Sequence, residues 1–198
     1  MLPSTAKTVA WMLLMTVGAS LSAAAQAMPA SGHWTPRSAP IDLGVNYVAD
    51  ISNAPPGTCG CFLMQGGGAT VRFGLPYRLS AVADLSVVNT NNVPNTGFGL
   101  GLTTILGGAQ YRLPNGRYTN YGQVLLGAVR GFDSVFPANS SNSPSAFAYA
   151  LGAGSEVKIN RRFAARLIEL DYLRTGLPNN STNWQNHLKI ASGLIVHF

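Results

Sequence analysis

Five charged residues stand inside stretches that otherwise alternate large apolar with small side chains: Arg72, Asp84, Glu169, Asp171 and Lys189. Such a charge is either solvated at a surface or paired inside, because an unpaired buried charge costs several kcal/mol. Counting register about the intervening turns puts Asp171 opposite Lys189, with Glu169 one step diagonal, and Arg72 opposite Asp84. A two-residue turn at Asn160-Arg161 puts Glu169 opposite Gly152 and Asp171 opposite Ala150, so large polar groups meet small ones. This agreement of parity favours enclosed pairs over surface pairs.

The remaining chemistry-bearing residues are sparse. Cys59-Gly60-Cys61 is the sole cysteine pair, placed in a Pro/Gly-rich connection. It reads either as a disulfide, strained because it spans one residue, or as a loop staple or two free thiols; the lack of a redox partner nearby favours the second. A metal site there would need His or acidic ligands, and Asp50 is the nearest acid, so no metal is expected. His187 lies near Ser181 and Thr182, yet no acid is placed to orient the imidazole, and no catalytic residue is assigned. His33 and His197 read as structural. Gly66-Gly67-Gly68 leads into a strand rather than a helix, so neither a phosphate loop nor a cofactor is expected. Arg161-Arg162 is the only basic cluster and sits at a turn, which argues against nucleic acid as a partner.

The elements that hold these residues follow from composition and period. The chain has 198 residues, 46% hydrophobic and only 10% charged, with 22 glycines and 12 prolines. Ordinary soluble domains carry about 25% charged residues. Residues 1–27 combine Lys7, an apolar run from Val9 to Leu21 and a terminal Ala25-Gln26-Ala27, the layout of a cleaved signal peptide. Residues 28–40 form a flexible, Ser/Pro-rich lead-in. From Ile41 onward, period-two alternation recurs and helical periodicity does not. The strands expected are Ile41 to Ile51, Gly68 to Leu75, Leu79 to Val88, one starting near Phe98, Tyr121 to Gly131, Ala146 to Lys158, Phe163 to Thr175, and Asn186 to Phe198. In the fourth, Leu100, Leu102, Thr104 and Leu106 make the bulky face, and a bulge is considered between Gly108 and Arg112. The facing of the fifth is left open.

Connections alternate between short ones (at Tyr77, Leu113 to Asn120, and Asn160 to Arg162) and long, Asn/Ser/Pro/Gly-rich ones. That alternation, with strands of about 9–11 residues, fits an antiparallel transmembrane barrel with its short turns on the periplasmic side. A soluble eight-stranded barrel would put its bulky apolar face inside. Here the charges share a face with Gly, Ala, Ser and Thr, so the bulky face is expected to meet lipid. The fold class is therefore all-β: an eight-stranded, antiparallel, up-and-down transmembrane β-barrel over residues 41–198, following the signal peptide.

The last hairpin sharpens this. Arg166-Leu167-Ile168-Glu169-Leu170-Asp171-Tyr172-Leu173-Arg174-Thr175 is followed by Leu188 to Phe198, with Leu194, Val196 and Phe198 on one face. In these features the chain from Ile41 to Phe198 resembles the small outer-membrane β-barrel proteins of the OmpA and opacity-protein superfamily. The resemblance implies that Leu194, Val196 and Phe198 form the carboxy-terminal assembly signal read by the barrel-assembly machinery. It also implies location in the bacterial outer membrane and contact with outer-membrane lipid. In contrast to members with two domains, no periplasmic peptidoglycan-binding domain is expected after the last strand. Functions in that superfamily are diverse. The reading adopted is a monomeric, non-enzymatic barrel with a structural or surface-interaction role. Envelope integrity or adhesion would be carried by loops around Cys59, Asn92, Asn139 and Asn180, with an unknown extracellular ligand. The alternatives are a lipid-modifying hydrolase and a narrow solute pore, the latter disfavoured because paired charges would plug so small a lumen.

Overall fold

The computed structural model describes residues 40–53, 61–93, 99–132, 144–178 and 183–198. The expected signal peptide, residues 1–27, and the lead-in up to residue 39 lie outside the described residues, as do Cys59, Asn139 and Asn180.

Among the described residues eight strands run in chain order: β1 (Ile41–Ser52), β2 (Phe62–Gly74), β3 (Leu79–Thr90), β4 (Leu100–Asn115), β5 (Tyr118–Phe132), β6 (Ser145–Lys158), β7 (Phe163–Thr175) and β8 (Gln185–His197). Each pairs antiparallel with the next, and β8 returns to β1, so the sheet closes into an up-and-down barrel. Closure leaves no strand edge with unpaired N–H and C=O groups, which a sheet surrounded by hydrocarbon requires. The seam runs from Asp42 opposite His197 to Ser52 opposite His187.

Three tight connections gather at one end, here the short-turn end. Between β2 and β3 a single 3-10 turn, Pro76–Arg78, holds Tyr77 and Arg78 at φ of 61° and 65°. Between β4 and β5, Gly116 adopts φ 60°, the left-handed value that glycine reaches without steric cost in a two-residue hairpin turn. Between β6 and β7, the Asn160 side-chain oxygen accepts hydrogen bonds from the backbone N–H groups of Arg162 and Phe163, both at 2.8 Å. The strand ends that the long connections join lie at the opposite end.

Alternation sorts the side chains as expected on most strands. Leu43, Val45 and Tyr47 of β1 are exposed, as are Leu85 and Val87 of β3 and Leu188 and Leu194 of β8. Several segments depart from the sequence reading; the connection expected over Leu113 to Asn120 narrows to Gly116-Arg117 between β4 and β5. β2 begins at Phe62 rather than Gly68, so Gly66-Gly67-Gly68 lies inside a strand. Intrinsic propensity places three glycines in a loop, but the narrow barrel needs the space: a Cβ on Gly66 would collide with the Val87 carbonyl oxygen across the ladder. In β4 the bulky face is reversed: Leu100, Leu102, Thr104 and Leu106 are buried in the barrel, while Ile105 is exposed outward. When both faces of a strand carry apolar residues, bulk alone cannot assign them. The facing of β5, open from sequence, is settled: Tyr121, Gln123, Leu125 and Val129 point inward and Val124 and Leu126 outward.

The irregularity lies in β7, not β4. The register of β4 with both neighbours is continuous. Both neighbours of β7 shift register around Arg166 to Glu169. The extra residue leaves Leu167 and Ile168 both exposed and turns Arg166 and Glu169 both inward. In a regular strand, residues three apart face opposite sides. The bulge removes that restriction here.

Candidate functional site

The interior divides into two layers. Toward the long loops it is mainly apolar, apart from a small polar group around His187: Val48, Met64, Val88, Leu102, Leu125 and Leu173 belong to one packed cluster that includes the reversed leucines of β4. Toward the short turns it is a continuous polar network. An eight-stranded barrel has room only for side chains, so both layers act as filling.

Arg72 on β2 organises the lower part of the network. Its Nε donates to Asp42 Oδ2 at 2.8 Å, and its Nη atoms grip Glu156 bidentately at 2.9 and 3.2 Å. Its Nη1 also donates to Gln110 Oε1 at 3.0 Å. Arg112 lies 3.5 Å from Glu156 and 3.7 Å from Asp42, and His197 Nδ1 lies 2.6 Å from the other Asp42 oxygen. Across the lumen, Arg166 Nη1 contacts Glu169 Oε2 at 3.0 Å, the pair the β7 bulge makes reachable. Tyr121 Oη donates to the same Glu169 oxygen at 2.6 Å.

Lys189 on β8 anchors the upper part. Its Nζ donates to Asp84 Oδ1 at 2.6 Å and lies 3.5 Å from Asp171 Oδ2. Thr70 links the two parts: its hydroxyl donates to Asp84 at 3.2 Å and accepts from Asn46 at 3.0 Å and Arg166 at 3.3 Å. Gln123 donates to Asp171 at 2.8 Å and accepts from Gln110 at 3.2 Å. Arg and Lys at this burial are tolerable only because each faces at least one carboxylate.

All five charges singled out in the sequence therefore lie inside the barrel, buried. Asp171 stands opposite Lys189 in the ladder. Arg72 does not stand opposite Asp84. The β2–β3 register sets Arg72 opposite Val82 and Thr70 opposite Asp84, because the turn is centred one residue earlier than Arg78. Arg72 takes Asp42 and Glu156 instead, and Asp84 takes Lys189. The β6–β7 register also moves, by one residue at the turn and one at the bulge, setting Asp171 opposite Gly152 and Glu169 opposite Gly154. Large still meets small: a Cβ on Gly152 would strike Asp171 Oδ1, and one on Gly154 would strike the Tyr121 ring. Sequence reasoning missed Asp42, Arg112 and Arg166 as lumen charges, and put Glu156 on the inward face of its strand without a partner. Asp42 shares the inward parity of Asn46 and Asp50, and that was the available signal.

A separate buried group sits at the long-loop end. His187 Nδ1 lies 3.1 Å from Asp50 Oδ1, and His187 Nε2 lies 3.3 Å from Thr175 Oγ1. The sequence offered no acid to orient His187; the β1–β8 seam supplies Asp50, distant in sequence. Acid, imidazole and hydroxyl in this order are the elements of an activated nucleophile. Thr175, however, is wholly buried, as are His187 and Asp50, so the hydroxyl meets no surface from which a substrate could approach. Ser181 and Thr182 lie outside the described residues. Among the described residues no cluster of His, Cys, Asp and Glu could hold a metal ion. Cys61 is an exposed free thiol just before β2.

No family model and no curated relative matches the sequence. Solved structures do match. The crystal structure of Neisserial surface protein A superposes with a TM-score of 0.65 at 14% identity, covering 80% of this chain and 97% of that one. The chain has the fold of the small outer-membrane β-barrels. Ail of Yersinia pestis, solved in complex with the heparin analogue sucrose octasulfate, gives a TM-score of 0.56 at 15% identity, covering 81% of this chain and 99% of that one. The outer membrane protein OprG of Pseudomonas aeruginosa gives 0.55 at 12% identity, with coverages of 81% and 96%. At such identities the likeness is one of fold. Leu194, Val196 and Phe198 lie on the outer face of the closing strand, with the Phe198 N–H bonded to the Ile41 carbonyl at 2.9 Å.

Proposed function

We propose that the protein is a monomeric integral barrel of the bacterial outer membrane. Its task is structural or surface-interactive, carried by the long loops, and it is not catalytic. The observation that carries this reading is the inversion of the barrel: large apolar side chains cover the outside, while the described carboxylates are all buried within. In water that arrangement would expose a wide apolar surface, and in a bilayer it is the stable one. The short-turn end then faces the periplasm and the long loops face outward. Leu194, Val196 and Phe198 serve as the signal read by the assembly machinery. The polar network and the apolar layer above it support a sealed lumen rather than a solute pore. The burial of Thr175 supports an interaction role over lipid hydrolysis. Ail, with the same fold, was solved with a heparin analogue bound, so sulfated polysaccharide is a first ligand class to screen against the loops.

Membrane fractionation combined with gel mobility before and after boiling tests the reading. An outer-membrane protein whose band shifts on heating is expected; a freely soluble periplasmic product overturns it. Loop deletions combined with a surface-binding screen then test the interaction role.

A further inference from the structure

The outside of the barrel is electrostatically one-sided. All six described side-chain carboxylates, on Asp42, Asp50, Asp84, Glu156, Glu169 and Asp171, are buried in the lumen. Arg78, Arg117, Lys158, Arg161 and Arg162 are exposed at the short-turn end, divided among its three turns. Two of the turns adjoin, the Lys158 N–H bonding to the Arg117 carbonyl, and the third-turn residue Arg162 accepts from the His197 N–H at the end of β8, both at 2.8 Å. None of these five cations has a side-chain carboxylate within ion-pair distance among the described residues. At the long-loop end the described cations are Arg130 and Arg174, and Arg174 stacks 4.5 Å above the Trp184 ring.

The basic rim alternates with exposed apolar side chains. Leu75, Tyr77 and Leu79 bracket Arg78; Tyr118 follows Arg117; Ile159 and Phe163 flank Arg161 and Arg162. A soluble anionic polymer would need the cations and have no use for the apolar neighbours. The boundary of a bilayer uses both, since aromatic and aliphatic groups settle at the hydrocarbon edge while cations meet phosphates beyond it.

We propose that the short-turn rim binds anionic phospholipid headgroups, of the phosphatidylglycerol class, in the leaflet it enters, and that this fixes the depth of the barrel. The inference rests on the membrane reading above. Each Lys or Arg near a charged bilayer surface favours anionic lipid by about fivefold. Five such groups on one rim, uncompensated by acids, give a marked local enrichment that salt weakens.

The test uses the full chain refolded into mixed phosphatidylcholine and phosphatidylglycerol vesicles, with photo-crosslinkable analogues of each lipid. Crosslinks are mapped to the three turns by mass spectrometry, and insertion is verified in the same samples by the heat-dependent gel shift. Phosphatidylglycerol should crosslink preferentially at the turns. The preference should fall about fivefold for each charge removed in the series R162Q, R161Q/R162Q and K158Q/R161Q/R162Q. The charge-keeping R161K/R162K should retain it. An inserted barrel that labels equally with both lipids, or whose preference is unmoved by the triple substitution, overturns the inference and leaves the membrane reading standing. Charge-dependent retention on purified cell-wall sacculi, without lipid preference, overturns it in favour of a wall contact. A chain that never inserts overturns both.

Discussion

Replacing Lys189 with Met removes the one cation that Asp84 and Asp171 share. The two Coulomb attractions, at 2.6 and 3.5 Å, are worth about 6 and about 5 kcal/mol in an effective dielectric of about 20. Desolvation of three buried ions offsets most of this, so the pair adds little net stability over an apolar filling. Breaking it is a different matter. The Met side chain fills the volume of the Lys stem but strands two carboxylates that, among the described residues, keep Thr70 and Gln123 as donors. Stranding a buried charge costs about 3–5 kcal/mol. The assay is equilibrium urea unfolding of the refolded barrel in lipid vesicles, read by tryptophan fluorescence and by the folded band on gels. Lys189→Met should lose about 3–5 kcal/mol, Asp84→Asn/Lys189→Met should recover about half, and adding Asp171→Asn should restore stability to within about 1–2 kcal/mol. A Lys189→Met single variant within about 1 kcal/mol of the parent would refute the reasoning, as would additive losses along the series.

Other perturbations address the packing, the bulge and the seal. Gly152→Ala should destabilise by about 1–3 kcal/mol in the same assay, because the new methyl strikes Asp171 and lies against the Leu170 carbonyl oxygen. Gly107→Ala, whose Cβ would come no nearer than 3.7 Å to Val82 O, should be neutral or gain about 0.5–1 kcal/mol; equal losses at the two sites would contradict the packing argument. Deleting Leu167 should remove the bulge and leave Arg166 and Glu169 two residues apart on the same inward face, so the refolding yield and gel shift should be kept; a severe loss would show that the bulge itself is required. Planar-bilayer recordings should show no conductance steps, and steady single-channel currents abolished by altering Arg72 would restore the pore reading. Phe198→Ala should lower outer-membrane yield in cells while leaving refolding in vitro within about 1 kcal/mol, since it deletes an exposed side chain; equal losses in both settings would mark Phe198 as structural.

The legible parts of the site were those governed by period. Asp84, Asp171, Lys189 and Arg72 announce themselves because a charge on the small-residue face of an alternating strand has one place to go. Their partners were less legible. Arg72 was matched to Asp84 by a turn count that a single residue displaces, and register in a hairpin depends on turn geometry. Glu156 reaches Arg72 from a strand 84 positions away, across the lumen rather than along a ladder. The β4 leucines were assigned outward because bulk served as the sign of lipid, which fails where the lumen itself is apolar.

By itself the sequence determined the class of structure: alternation from Ile41 to the end, turns at regular spacing, and most mid-strand charges on one parity. These are local properties, set by the two-residue repeat of a strand and by the turn residues, and they need no knowledge of which strands meet. Tertiary structure alone decided the seam that joins β1 to β8 and so gives His187 its acid, and the cross-lumen contacts of Arg72 and Tyr121. It also decided the bulge that aims Arg166 and Glu169 at each other, and the glycines that must stay bare. Each of these depends on distances between residues far apart in the chain. Those distances exist only once the sheet has curled and closed, because a narrow barrel brings opposite walls within hydrogen-bonding reach.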